Sequence, residues 1–397
     1  MTLRILAVVV SLIPSIAHAA APKEEQPFFP IMAWNHAPSD PAVLTKMAEC
    51  GITVAGFTYP KDLDLVHAAG MKAIVYDARA ASYDWTKVDP TKARENVTAL
   101  IKEVNDHPAV FGYYLRDEPP ATMFAGLEAV ASVVRELAPG KWPYINLFPN
   151  YAEPWQLATK DYAEYLDKFV ATCKPPVMSY DHYALPVGGG FGPRYFENLE
   201  QMRDAARKAN VPFWNIVLAT AHFGHREVTA ADFRFQAYTT LAYGGRGLSY
   251  FTYFAPGVGN YRMAPVDQFG NITPNWYFMQ NTNQQVLKLA PTLLKLTSDQ
   301  VYHVGALPAG VHGPTETSLL TGVAGDDFLV GDFTHADGSR WVMVVNKNLT
   351  QPRPCQPAYR KAPAKVQLLS AYSGQLTPFE GEQVWLAPGQ GCLLKLD

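Results

Sequence analysis

Two short strings place acids at the ends of apolar or aromatic runs. One is Phe111-Gly112-Tyr113-Tyr114-Leu115-Arg116-Asp117-Glu118-Pro119, the other Val177-Met178-Ser179-Tyr180-Asp181-His182-Tyr183. Runs of this kind read as strands, and a carboxylate that closes a buried strand stands where a cleft can use it. In the first string a period of two sets Tyr114, Arg116 and Glu118 on one face, and Pro119 stops the strand with Glu118 at its end. In the second, the same period turns Ser179, Asp181 and Tyr183 to one side and Met178 and Tyr180 to the other. Two carboxyl groups across a cleft can divide proton donation from charge stabilisation. The expected pair is Glu118 with Asp181, or with Asp77 in its place. A separation of about 5 to 5.5 Å would imply retention through a covalent intermediate, and about 6.5 to 9.5 Å inversion through water.

The residues that close the other apolar runs mix polar and aromatic types. Trp34-Asn35-His36, Asp77, Asn146, His182, Tyr183, Trp214, His222 and Tyr253 join Arg116 in this set, and all are read as substrate contacts. Sugars present C–H faces that stack on aromatic rings and hydroxyls that need Asn, Asp, His or Arg partners, so the expected ligand is a carbohydrate. His222 and His225 are three apart, a spacing that holds a metal only with a third ligand near by. They read as hydroxyl contacts or loop packing, and neither a metal nor a cofactor is expected. A lyase would instead need Tyr183 or His182 as base and Arg116 to hold a uronate carboxylate.

The elements that would position these groups repeat. Eight candidate strands alternate with helical patterns between about residues 28 and 290: Phe29–Trp34, Thr53–Tyr59, Lys72–Asp77, Val110–Arg116, Trp142–Phe148, Val177–Tyr183, Phe213–Thr220 and Gly247–Phe254. The helix over Thr91–Asn105, with Val97, Leu100, Ile101 and Val104 on one face, is the clearest. Eight such units predict a (β/α)8 TIM barrel over residues 20–296, whose active groups stand at the C-terminal ends of its strands. No glycine-rich phosphate turn follows the first strand, which argues against an open doubly wound sheet. From residue 297 to 397 the period changes to two, with a hairpin turn at Asp337-Gly338, and a small C-terminal antiparallel β-sandwich is expected.

The string ending in Arg116-Asp117-Glu118-Pro119 resembles the fourth strand of the TIM-barrel glycoside hydrolases of clan A, including the family 42 β-galactosidases. That resemblance spans roughly residues 28 to 290 and implies that Glu118 is the general acid/base. Two departures stand against it. Asp117 occupies the place of the usual Asn, and the seventh strand, Pro212 to His222, carries no carboxylate for the clan's nucleophile. Glu227 follows too late and reads as a charge near a helix start. Met178-Ser179-Tyr180-Asp181 is similar to the sixth strand of family 18 chitinases, and Asp117-Glu118 looks like the acid pair of substrate-assisted hexosaminidases. These likenesses imply a glycoside hydrolase, with Asp117, Glu118 and Asp181 as its catalytic acids. The missing strand-seven acid leaves a non-catalytic carbohydrate-binding barrel as the alternative.

Composition agrees with a globular, weakly charged protein. The 397 residues carry 33 Lys and Arg against 36 Asp and Glu without a basic block, which excludes the footprint of a nucleic-acid binder. Residues 1–19 read as a cleavable export signal, with Arg4, an apolar run and Ala17-His18-Ala19, and no later run is long enough for a membrane anchor. A secreted or periplasmic location follows as the expectation, one that permits Cys355 and Cys392 to pair.

Overall fold

The computed structural model describes residues 28–34, 36–381 and 384–397. The expected export signal and Asn35 lie outside the described residues.

Eight strands close into a barrel in chain order: β1 Ile31–Ala33, β2 Val54–Thr58, β3 Lys72–Val75, β4 Val110–Asp117, β5 Trp142–Leu147, β6 Met178–Asp181, β7 Phe213–Leu218 and β8 Leu248–Phe251. All eight pairings are parallel, including the closing pair of β1 with β8. The (β/α)8 barrel expected from the alternation is therefore present. Around it run α1 Pro41–Glu49, α2 Leu63–Ala68, α3 Ala78–Ala81, α4 Pro90–Val104, α5 Phe124–Leu137, α6 Pro154–Leu157, α7 Tyr162–Cys173, α8 Tyr195–Ala209, α9 Ala230–Ala242 and α10 Pro274–Leu293. Several begin where the sequence sets a capping side chain before proline. Asp40 before Pro41, Asp89 before Pro90 and Thr273 before Pro274 each accept from amides of the first turn.

The barrel interior is a packed aromatic column. Near its floor Phe111 stacks on Trp214 at 6.2 Å between ring centroids, and Trp142 lies 4.6 Å from Phe111. Gly247 makes this possible, since a Cβ there would sit 2.2 Å from the Trp214 ring. Higher up, Trp34, Phe57 and Tyr114 close on one another with centroids 4.6 to 6.4 Å apart.

The C-terminal part is antiparallel, as expected. Its strands are β9 Leu296–Val304, β10 Leu320–Val323, β11 Phe328–His335, β12 Arg340–Asn346, β13 Arg353–Pro354, β14 Pro357–Tyr359, β15 Val366–Leu369, β16 Leu376–Pro378, β17 Trp385–Leu386 and β18 Gly391–Leu396. Six form one sheet in the order β16-β15-β18-β12-β11-β9, and two ribbons, β10-β14 and β13-β17, supply its partner layer. Alternation along β11 and β12 sends Val330, Val342 and Val344 to the core beneath the ribbons, and Leu329, Phe333, Met343 and Val345 to the barrel side. The helix that receives this second face is α9, which is consequently buried on nearly all sides. Contact is close because Gly331 lacks a Cβ, which would lie 2.2 Å from the Ala242 carbonyl oxygen.

Candidate active site

The acids come together at the mouth of the barrel. β4 carries a bulge: Tyr114 pairs with Tyr144 on β5, but Arg116 pairs with Ile145 and Asp117 with Asn146. The extra residue, Leu115, packs outward into the helix layer, and the alternation slips by one. Asp117 thereby turns inward with Asn146, while Arg116 is exposed and makes no hydrogen bond or ion pair among the described residues. The expectation that Arg116 shares a face with Tyr114 is corrected by this bulge.

Glu118 follows with a left-handed backbone, φ 43°, a conformation that costs a non-glycine residue of order 1–3 kcal/mol. It is held there by its own amide, which donates to the Asn146 carbonyl at 2.9 Å, and by Pro119, whose carbonyl accepts from the Tyr165 hydroxyl at 2.8 Å. The side chain is partly exposed. Its carboxyl lies within hydrogen-bonding reach of Asp181. Burial, and next the charge of Asp117, push the Glu118 pKa up to about 7. Asp181 is 4 % exposed, and burial followed by the charges of Glu118 and Asp117 holds it well above the usual carboxylate range. Asp117 is raised mainly by burial.

Asn146 links two of these acids. Its Nδ2 donates to Asp117 Oδ1 at 3.1 Å and to Asp181 Oδ1 at 2.8 Å, and its Oδ1 accepts from the Ser179 hydroxyl at 3.0 Å. Ser179 in turn lies 2.8 Å from the Tyr144 hydroxyl.

At the ends of β1 to β4 and β8 opens a cavity of about 360 Å³ lined by Trp34, His36, Phe57, Tyr76, Tyr114, Phe251, Thr252, Pro256 and Tyr261. The Tyr114 hydroxyl meets the Asp117 backbone, so this ring joins cavity to acids. Trp34 and His36 thus stand at the mouth as expected. His36 is exposed, stacks on Tyr59 at 5.2 Å, and has its Nδ1 2.9 Å from the Phe57 carbonyl. Tyr183 and His222 face each other at 5.2 Å, both against Phe251. The His222 Nδ1 lies 2.9 Å from the Thr220 carbonyl and so donates to it, which leaves Nε2 as an acceptor.

Four other expected contacts lie elsewhere. Asp77 caps α3 and is clamped by Arg79 through two contacts of 2.9 Å, a pairing that holds it below the usual carboxylate range. It is not positioned as a partner of Glu118. Trp214 is the second residue of β7 and belongs to the packed floor, fully buried. His182 points out of the barrel to α8, with its Nδ1 2.9 Å from Asn198 Oδ1, and burial lowers its pKa to about 4. Tyr253 is buried and accepts from Trp276 Nε1 at 2.8 Å.

Several residues at the site were not anticipated. Phe57 and Tyr76 line the cavity, together with Tyr114, which the sequence places only on a face with Glu118. Tyr151, in the loop after β5, packs 5.0 Å from His182 with its hydroxyl against the Tyr183 backbone and near the Asp181 and Glu118 charges. The signal for Phe57 and Tyr76 was their place at the ends of β2 and β3, the same rule that singled out Trp34. No group of three or more His, Cys, Asp or Glu able to hold a metal occurs among the described residues.

No protein-family model and no curated protein matches the chain. Solved structures do. A glycoside hydrolase family 5 protein from Bacteroides vulgatus is 13% identical with TM-score 0.57, over 93% of this chain and 90% of that one. A second structure, described as a glycoside hydrolase, is 13% identical with TM-score 0.58 over 93% of each chain. The β-galactosidase of the psychrophilic Marinomonas ef1 is 12% identical with TM-score 0.50, over 66% of this chain and 60% of that one. At such identities the likeness is one of fold: this chain is built like those glycoside hydrolases, over nearly its whole length in two of the three cases.

Proposed function

We propose that this protein is a glycoside hydrolase in which Glu118 delivers a proton to the leaving glycosidic oxygen. The observation that carries the reading is Glu118 itself. It is a partly exposed carboxyl at the barrel mouth, raised to about pKa 7 by burial and by Asp117, and the neighbouring Asp117 backbone meets Tyr114, which lines an aromatic cavity of about 360 Å³. A group so tuned keeps its proton near neutrality and can still release it. Trp34, Phe57, Tyr76 and Tyr114 offer faces for pyranose C–H groups. The barrel likeness to solved glycoside hydrolases raises the prior for this chemistry.

Glu118 and Asp181 touch, which is closer than the roughly 5 Å of a retaining pair or the wider gap of an inverting one. No ring fits between them. Asp181 therefore serves as a hydrogen-bond partner of Glu118, and β7 ends in Val217-Leu218 with Ala219, Thr220 and Ala221 beyond, none of which is an acid. Such a site suits a substrate that brings its own nucleophile, such as the carbonyl oxygen of a 2-acetamido group. A uronate-cleaving lyase is disfavoured, because three carboxyl groups stand together at the barrel mouth and, among the described residues, no Lys or Arg lines the cavity. The test is a panel of aryl glycosides and polysaccharides with product analysis. New reducing ends, with N-acetylhexosaminides cleaved faster than plain hexosides, are expected. Unsaturated products would indicate a lyase, and binding without turnover a carbohydrate-binding barrel.

A further inference from the structure

With the Asn146 amide oriented as in the structure, the hydrogen bonds behind the acids run in one direction. Asn146 Oδ1 can only accept, so the Ser179 hydroxyl donates its single proton there, at 3.0 Å. The 2.8 Å contact between Ser179 Oγ and the Tyr144 hydroxyl must then be donated by Tyr144. With its carbonyl engaged, the Asn146 amide has both N–H groups turned to Asp117 and Asp181. Reversed, it would aim its oxygen at the oxygens of Asp117 and Asp181, and neither acid would receive an N–H from Asn146. All of Tyr144, Ser179 and Asn146 are buried, so no bulk water competes for these bonds.

We propose that Ser179 and Tyr144 are positioning residues: they lock the Asn146 amide in the orientation that donates to both Asp117 and Asp181 and so favours negative charge on Asp117 beside Glu118. This rests on the hydrolase reading for its consequence in catalysis, but the amide's orientation stands without it. The titratable groups near enough to feel the acids' charges are Tyr114 on β4, Tyr144 on β5, Tyr151 in the loop after it, Tyr162 and Tyr165 on α7, Tyr180 on β6 and Tyr183 just beyond it. Arg116 is the cation that acts on Asp117. The tyrosines are held un-ionised by burial, so the amide is the buried neutral donor shared by Asp117 and Asp181. Without it Asp117 takes up a proton more readily, its repulsion of Glu118 weakens, and Glu118 ionises at lower pH.

The experiment is a carboxyl titration by NMR on protein carrying 13C-labelled glutamate, with the Glu118 signal identified by its loss in Glu118→Gln. The wild-type signal is expected to titrate near 7. In Ser179→Ala its midpoint should fall by about one pH unit, the equivalent of about a tenfold change in proton affinity. Tyr144→Phe should move it the same way by less, and Ser179→Thr, which keeps the hydroxyl, should restore it. A merely structural role would lower the melting temperature without moving this midpoint. An unchanged midpoint in folded Ser179→Ala overturns the proposal, and if that variant does not fold, an unchanged midpoint in Tyr144→Phe does so. If the midpoint moves but Glu118→Gln hydrolyses glycosides like wild type, the positioning holds and the hydrolase reading fails.

Discussion

Glu118 combines an unfavourable backbone with an unfavourable charge, and both have measurable effects. As proton donor it should matter most where the leaving group is poor. Glu118→Gln is expected to lose about 10²–10⁴-fold in kcat on unactivated glycosides and far less on a dinitrophenyl glycoside, as steady-state assays on the two substrates would reveal. The stability effect follows from linkage. Glu118 ionises near 7 in the folded chain against 4.5 as the reference value, so between these limits the native state holds more protons than the unfolded one. Stability then falls as pH rises through that window. Glu118→Gln, which cannot ionise, should therefore melt with wild type at pH 4 but above it at pH 8, by the equivalent of about 1–3 kcal/mol in denaturant titrations. Equal melting at pH 8 would mean that the folded pKa is not raised.

At the scale of elements, packing depends on where side chains are missing. Gly331→Ala on β11 would force a methyl into the Ala242 carbonyl and should cost about 1–3 kcal/mol by urea unfolding. Gly322→Ala on β10, where a Cβ meets nothing, should stay within about 0.5 kcal/mol of wild type. The same level explains what could be read in advance. Eight strands and the β-rich C-terminal part were legible because period and capping residues repeat, and Asp181 was placed correctly because β6 runs without irregularity. Arg116 and Asp117 were exchanged because a single bulged residue, Leu115, leaves no mark in local composition. Asp77 and His182 misled for a different reason: a polar residue at a strand end serves capping and helix contacts as readily as a cleft, and only three-dimensional neighbours decide between them.

For the whole molecule, the C-terminal layers contain a latent crosslink. Cys355 and Cys392 are buried with sulfurs 3.6 Å apart, on chain segments 37 residues apart. Under oxidising conditions a disulfide here should add about 3–4 kcal/mol of stability by closing that loop. Thiol counting after denaturation checks it: two reactive cysteines of four when oxidised, four after reduction, with Cys50 and Cys173 the pair that remains. The six-stranded sheet has a wider bearing. One face covers the ribbons' core and the other covers α9, so neither region keeps a dry interior alone. Calorimetry should accordingly give a single endotherm, and a barrel cut off at its last helix should emerge from the ribosome sticky and prone to clump, the sheet over its ninth helix torn away like the backing from a label.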